Sequence, residues 1–186
     1  HIDGLWCEDG AAAPAVLAWR SSADTVIERN RVDDGHRGIG LGESQTGLAG
    51  QRTYPDIDCD ASAHVDHYGG VVRNNMLFSG SEAFLEAGAT VDSGIHLWSA
   101  CGATVVHNTV ASLKKPFSSI EWRFEGTAAT QVLNNLVSHN LMERTGATAF
   151  QLGNLPDADE TLFTNQETGD LHLAPDVLGA INAGED

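Results

Sequence analysis

Four segments of the chain carry one frame: Ile27-x-x-Asn30-x-Val32, Val72-x-x-Asn75-x-Leu77, Val105-x-x-Asn108-x-Val110 and Val132-x-x-Asn135-x-Val137. A sequence that returns four times to so short a pattern folds most simply as a stack of near-identical coils, each burying its apolar residues against the next. Asn is the side-chain-bearing residue that best tolerates the left-handed backbone region. Its fixed place between two apolar runs therefore predicts a sharp bend between strands, made by the Asn itself. Stacking at the strand spacing of about 4.8 Å lets each amide donate to the carbonyl of the next. Isolated buried amides would be costly, so the frame is self-consistent only with the four Asn in register.

A second signature alternates apolar and variable residues: Leu17-Ala18-Trp19, Ile39-Gly40-Leu41, Ile95-His96-Leu97, Ile120-Glu121-Trp122 and Phe150-Gln151-Leu152. Alternation turns the outer members of each triplet inward and the middle residue outward, which assigns Trp19 and Trp122 to the core. The Asn-to-Asn steps are 45, 33 and 27 residues. One coil needs roughly 20 to 30, so the first two steps contain insertions. The longer spans residues 42–69; the shorter runs from Ser79 to Ser93, where Phe84 and Leu85 are placed to cover a flank. Insertions on a solenoid fall in loops on its flank, where function concentrates.

The strands VIERNRV, VVRNNMLF, VVHNTV and VLNNLV, with GIGL and GIHLW beside them, resemble the repeats of right-handed parallel β-helices of the pectate-lyase-like superfamily. The segment LHLAPDVLGAINAG, residues 171 to 184, is similar to the terminal stretch with which many such proteins close. The resemblance covers most of residues 16 to 184 and implies an all-β fold: a single-stranded right-handed parallel β-helix of about six coils, with an internal Asn ladder and one long loop insertion. It implies one domain over residues 1–186, with the insertion at 42–69 and an acidic closing segment at 157–186. It also implies an extracellular or periplasmic setting. The superfamily includes polysaccharide lyases, glycoside hydrolases, epimerases, esterases, phage spikes and proteins without known activity, so fold alone does not choose a reaction. The chain opens at His1 with no amphipathic capping helix before the first coil. Exposed strand edges there predict end-to-end association into a homo-oligomer, or a segment of a longer helix; His1 as a tag residue is a further alternative.

Charge narrows the partners. Ten Lys and Arg against 26 Asp and Glu give a formal net charge of −16, which argues against nucleic acid and anionic membranes. No apolar run approaches a membrane span. From Asp157 to Asp186 there are eight acidic residues and no Lys or Arg, a solvated flank that promotes solubility. Cys7, Cys59 and Cys101 form no Cys-x-x-Cys clip. At most one pair can bridge, Cys59 with Cys101, and free thiols are the expected state.

Two groups carry candidate chemistry. In the long insertion Asp56, Asp58 and Asp60 alternate as at the start of a calcium loop, making Ca²⁺ the candidate metal, though the remaining ligands of such a loop are missing. His64, Asp66 and His67 follow, with the two imidazoles as candidate catalytic groups or as hydrogen-bond anchors for the loop. The second group comes from phasing the coils, which sets His96 beside Glu121 and Trp98 beside Arg123 on one external face, with Lys114 and Lys115 projecting from the preceding turn. Trp98 offers a stacking surface for a sugar, Arg123 a fork for a uronate carboxylate, Lys114 and Lys115 further substrate contacts, and His96 or Glu121 a proton-moving group. The same residues could instead pair with each other and merely solubilise the face. His107, just before Asn108, belongs with Arg29, Asn74 and Asn134 at a turn position.

Two functions from different classes are expected. One is a carbohydrate-binding or carbohydrate-processing β-helix acting on a polysaccharide or other glycan by elimination or hydrolysis. The other is a non-enzymatic binding or assembly module that associates through its first coil. No Gly-rich phosphate loop, Gly-x-Ser-x-Gly elbow or metalloprotease helix motif occurs in the chain.

Overall fold

The computed structural model describes residues 1–7, 12–43, 59, 64–177, 180 and 184. The chain is all-β, with parallel strands stacked into sheets, an arrangement compatible with a parallel β-helix. One five-stranded sheet runs in the order Leu141–Arg144, Ser118–Arg123, Ser93–Trp98, Arg37–Leu41 and Val16–Ala18. A second holds the strands that enter each bend: Ala149–Leu152, Thr130–Leu133, Thr104–Val106, Val71–Arg73 and Val26–Glu28. A third holds the strands that leave it: Ile2–Asp3, Arg31–Asp33, Met76–Ser79, Thr109–Ser112 and Leu136–Val137. A short sheet of Ala100–Cys101, His67–Tyr68 and Ser22–Ala23 completes the girth.

Register lines like residues into rows. Ile39, Ile95 and Ile120 pair across the first sheet, as do Leu41, Leu97 and Trp122, and all six are fully buried in one apolar column. Ile27, Val72, Val105 and Val132 from the second sheet and Val32, Leu77, Val110 and Val137 from the third close that column.

The bends differ from expectation in which residue makes them. The left-handed backbone falls one position earlier, at Arg29, Asn74, His107 and Asn134, with φ of 57°, 55°, 55° and 51°. The framed Asn fills the bend instead. Asn75 donates its backbone N and its Nδ2 to Asn108 Oδ1, at 3.1 and 2.9 Å, and its Nδ2 also donates to Ile27 O. The same double donation joins Asn30 to Asn75 and Asn108 to Asn135. A fifth member, Asn154, accepts from Asn135 N and Nδ2 at 3.0 Å and follows Gly153, whose φ is 62°. A side chain that spans one strand spacing suits this role because the backbone groups it satisfies would otherwise lie buried and unpaired.

Three strand assignments also change. Phe150-Gln151-Leu152 belongs to the second sheet, paired with Gln131, Val132 and Leu133, and the neighbour of Ser118–Arg123 is Leu141–Arg144. In the first strand of that sheet Val16 and Ala18 align with Ile39 and Leu41, so Leu17 takes the outer position; Trp19, expected in the core, is 40% exposed under the Arg20 guanidinium. Cys59 and Cys101, expected as free thiols, form a disulfide, while Cys7 is free and exposed.

The shorter insertion forms the helix Glu82–Glu86, capped by Ser81, with Phe84 buried. Towards the C-terminus an antiparallel pair, Phe163–Asn165 with Asp170–Leu173, packs Phe163 and Leu171 on Phe78 and Ala111, and Arg31 Nη2 donates to Gly169 O. Among the described residues no helix is long and apolar enough to cross a membrane.

Asn108→Ala is expected to cost about 1 to 3 kcal/mol, since it strands the Asn75 donors and the Val72 carbonyl in the interior. Asn165→Ala, which removes one exposed contact to Thr168 N, should cost about 1 kcal/mol or less. Urea unfolding of the two variants checks the contrast, and equal losses would contradict the interior role of Asn108.

Candidate functional site

The long insertion leaves the stack after Leu41 and rejoins it at His67. Its two described ends meet beside the Ser93–Trp98 strand. Glu43 N donates to Asp66 Oδ2 and Arg20 N to Asp66 Oδ1, both at 3.0 Å, so one carboxylate ties the exit of the insertion to its return. This places Glu43 over the outer side of the sheet, where its Oε2 stands 3.4 Å from His96 Nε2.

His96 and Glu121 are in register, as are Trp98 and Arg123, and both pairs lie on the side away from the apolar column. Their exposure differs from expectation. His96 is 0% exposed, Glu121 1% and Trp98 7%, so none forms an open surface. The physical reason is a roof of side chains from neighbouring strands. Arg37 lies over the Trp98 ring at 4.9 Å from its centroid and Arg123 at 5.5 Å, while the His96 ring packs beside it at 4.5 Å. Trp98 is therefore a shelf for two guanidinia rather than an open platform for a sugar.

Gly40 makes room for the imidazole. A Cβ there would stand 2.3 Å from His96 Nε2, so any side chain would displace the ring. Ser93 Oγ lies 3.0 Å from Nδ1, which fixes the other edge. Glu121 is fully engaged: it accepts from Trp98 Nε1, from Ser118 Oγ at 3.0 Å and from Arg144 Nη1 at 3.1 and 3.2 Å. Such a carboxylate holds structure and has no vacant lone pair aimed at a substrate.

Charge at the rim is less completely paired. Arg37 donates from Nε to Asp92 at 2.7 Å and from Nη1 to Glu43 at 3.4 Å; the side chains of Asp92 and Glu43 are 28% and 25% exposed. Arg123 is different. Among the described residues it enters no salt bridge and its Nε has no hydrogen-bond partner. Its guanidinium rests on Trp98 and, at 4.4 Å, on Phe124. Burial, then the neighbouring Arg144 and Arg37, push its pKa down from the ordinary arginine range, partly offset by Glu121 and Asp92. A half-dry guanidinium with no salt-bridge partner among the described residues, held flat by two rings, is prepared for an anion.

The remaining candidates are placed elsewhere. Asp56, Asp58 and Asp60 lie outside the described residues. His64 Nε2 is 4.0 Å from Asp66 Oδ1, at the return of the insertion. His67 sits in the short sheet between Ser22 and Ala100, fully buried, with Nε2 2.9 Å from Thr25 Oγ1, and burial holds its pKa down at about 4. Lys114 and Lys115 are exposed; Lys114 Nζ reaches Leu85 O, and among the described residues neither joins the Trp98 group by hydrogen bond or ion pair. No three His, Cys, Asp or Glu among the described residues converge as metal ligands.

Sequence reasoning passes over Arg37, Glu43, Asp92, Ser93 and Arg144. A signal exists for three of them: Arg37 and Ser93 stand two residues before the apolar triplets, and Arg144 follows Arg123 once Leu141–Arg144 is taken as the next strand. Glu43 and Asp92 lie in the loops and carry no repeat signature. No family model, curated protein or solved structure matches the chain.

Proposed function

We propose that the protein is a carbohydrate-binding or carbohydrate-processing right-handed β-helix of the pectate-lyase-like kind, built of about six coils around an internal Asn ladder and taking a glycan that bears carboxylate groups. The observation that supports this reading most is the Arg123 guanidinium, without a salt-bridge partner among the described residues, lying on Trp98 and Phe124 with Arg37 and Arg144 close by. Three guanidinia gather on one sheet face of a chain of formal charge −16; Arg37 is paired with Glu43 and Asp92 and Arg144 with Glu121, which leaves Arg123 as the cation for a substrate carboxylate to meet. Arg123 binds the carboxylate, and the partly exposed Asp92 supplies an acid–base group at the rim. Calcium enters as an auxiliary cation through Asp56, Asp58 and Asp60. An extracellular or periplasmic location agrees with the Cys59–Cys101 bond, since disulfides persist in oxidising compartments.

A second reading, a non-enzymatic binding or assembly module, is favoured by one feature. Among the described residues the strand Ala149–Leu152 pairs on one side alone, with Thr130–Leu133, and exposes Phe150 and Leu152, as a self-associating coil would.

The test is a screen against neutral and uronic-acid polysaccharides, with and without calcium, reading affinity, unsaturated products and reducing ends. Uronic-acid polymers should bind, and Arg123→Ala should weaken that binding about 10- to 100-fold, the range for a charge-assisted hydrogen bond. Failure of every polysaccharide, together with concentration-dependent sedimentation, would replace the first reading by the second.

A further inference from the structure

We propose that Ser93, His96 and Glu43 form an acyl-transfer relay that cleaves ester groups; the assignment of those esters to an acylated glycan rests on the function proposed above. The three residues stand in hydroxyl–imidazole–carboxylate order, with Ser93 Oγ 3.0 Å from His96 Nδ1 and His96 Nε2 3.4 Å from Glu43 Oε2. A hydroxyl donating to Nδ1 leaves the ring proton on Nε2, facing the carboxylate. That is the tautomer in which the ring can accept a proton from serine while the carboxylate stabilises the imidazolium that forms.

The neighbouring strand provides an internal comparison. Ser118 pairs in register with Ser93 and makes the same contact three residues on, but its acceptor is Glu121, a carboxylate already held by Arg144 and Trp98. Of these two strands, it is in Ser93–Trp98 that the hydroxyl meets a base with a carboxylate on its far side. That side is prepared from several directions. Gly40 leaves the space the ring occupies, and Trp98 packs against it. Glu43 is fixed by Arg37 Nη1 and by its own backbone bond to Asp66. Among the described residues neither His96 Nε2 nor Glu43 Oε2 has a hydrogen-bond partner, and the two atoms face each other at 3.4 Å. Ser93 and His96 are fully buried, while the side chains of Glu43, Arg37 and Asp92 above them are 25%, 17% and 28% exposed. For this chemistry the ester must reach Ser93 between these partly exposed side chains.

The chemistry balances without another reagent. Ser93 Oγ attacks the ester carbonyl carbon as its proton passes to His96 Nδ1. The carbon–oxygen bond to the sugar breaks, and the departing hydroxyl takes that proton, leaving acyl-Ser93. Water then adds to the acyl carbon, giving its proton to Nδ1. The proton returns to Ser93 Oγ as the carboxylic acid leaves, so ester and water become alcohol and acid. Glu43 touches neither substrate nor serine and is a positioning residue.

A fluorophosphonate, which phosphonylates activated serines, tests the relay on the intact chain. Mass mapping should find one adduct, on Ser93, and Ser93→Ala should remove it. His96→Gln should slow labelling at least 100-fold, in the range expected for loss of a general base. Glu43→Gln should slow it less and shift the pH profile of labelling, an effect that a merely structural carboxylate would not produce. The wild-type protein decides the matter even if a variant fails to fold: a folded chain that takes no label, or takes it on another serine, overturns the relay. Polysaccharide affinity measured on the same preparation separates the two ideas. Retained affinity without labelling removes only the relay, whereas labelling without affinity removes the glycan as its substrate and leaves the relay standing.

Discussion

Reduction of the Cys59–Cys101 bond is expected to lower the folding free energy by about 4 kcal/mol, the entropy at 25 °C of a closed loop this long in the unfolded chain. The bond joins residues 42 apart. Cys101 is fully buried with Val65 and Tyr68, so the cross-link joins the insertion to the side of the stack at a packed point. Urea midpoints with and without dithiothreitol check this. The wild type should drop on reduction, and Cys59→Ser, which leaves Cys101 as a small buried thiol, should match the reduced protein and ignore the reductant. A wild-type midpoint unmoved after both thiols have been titrated would show that the native packing, not the cross-link, holds the insertion. The ring closed by the bond contains Asp66, His96 and Trp98, and Asp66 is the residue that holds Glu43 in place. Loss of the bond should therefore loosen Glu43 over His96 as well as lower stability.

The stack is legible in the sequence because its determinants are local. An apolar residue, a bend, a buried Asn and a second apolar residue fall within six positions, and register follows from the alternation of strands. Legibility fails where the local pattern breaks. Asn154 repeats the geometry of Asn135, but Gln151 and Pro156 occupy its two apolar positions, so no frame announces it. That gap let the apolar alternation of Phe150 and Leu152 pass for a member of the wrong sheet and hid Leu141–Arg144, and with it Arg144. The bend residues mislead for a related reason. Asn74 and Asn134 suit a left-handed backbone, yet Arg29 and His107 adopt the same φ because the amide of the next residue locks the turn from inside.

The site is less legible because its environment comes from distant parts of the chain. The middle position of a strand triplet reads as solvent-facing, and His96 and Glu121 do lie on the outer side of the sheet. Their burial depends on Arg37 and Glu43 from one strand away and on Arg144 from another. Nothing in the residues around His96 specifies that cover. Gly40 is the exception: a glycine inside an apolar triplet marks a close approach, and here it is the imidazole that approaches.

Between pH 6.5 and 4 the protein is expected to lose about 3 kcal/mol of stability through His67 alone. Burial lowers the His67 pKa from the ordinary 6.5 to about 4, against the smaller upward pull of the Gly69 backbone, Asp24 and Asp66. The folded chain therefore keeps the ring neutral across a range in which the unfolded chain protonates it. With more protons bound in the unfolded state, stability is full above pH 6.5, declines as pH falls, and stops declining below about 4, where both states are charged. His139, also pushed down by burial, adds a slope of the same sign, and the carboxylates of Glu28, Asp159 and Asp170, whose pKa values are lowered by their hydrogen bonds, add theirs at lower pH. Comparison with His67→Gln isolates the single contribution. The variant should be less stable at neutral pH, having lost the ring that bonds Thr25 and packs on Gly70, yet flatter between pH 6.5 and 4. Parallel urea-stability curves for the two proteins across that range would mean that water reaches the imidazole in the folded state, and that the short sheet around Ser22, His67 and Ala100 opens far below the global unfolding free energy.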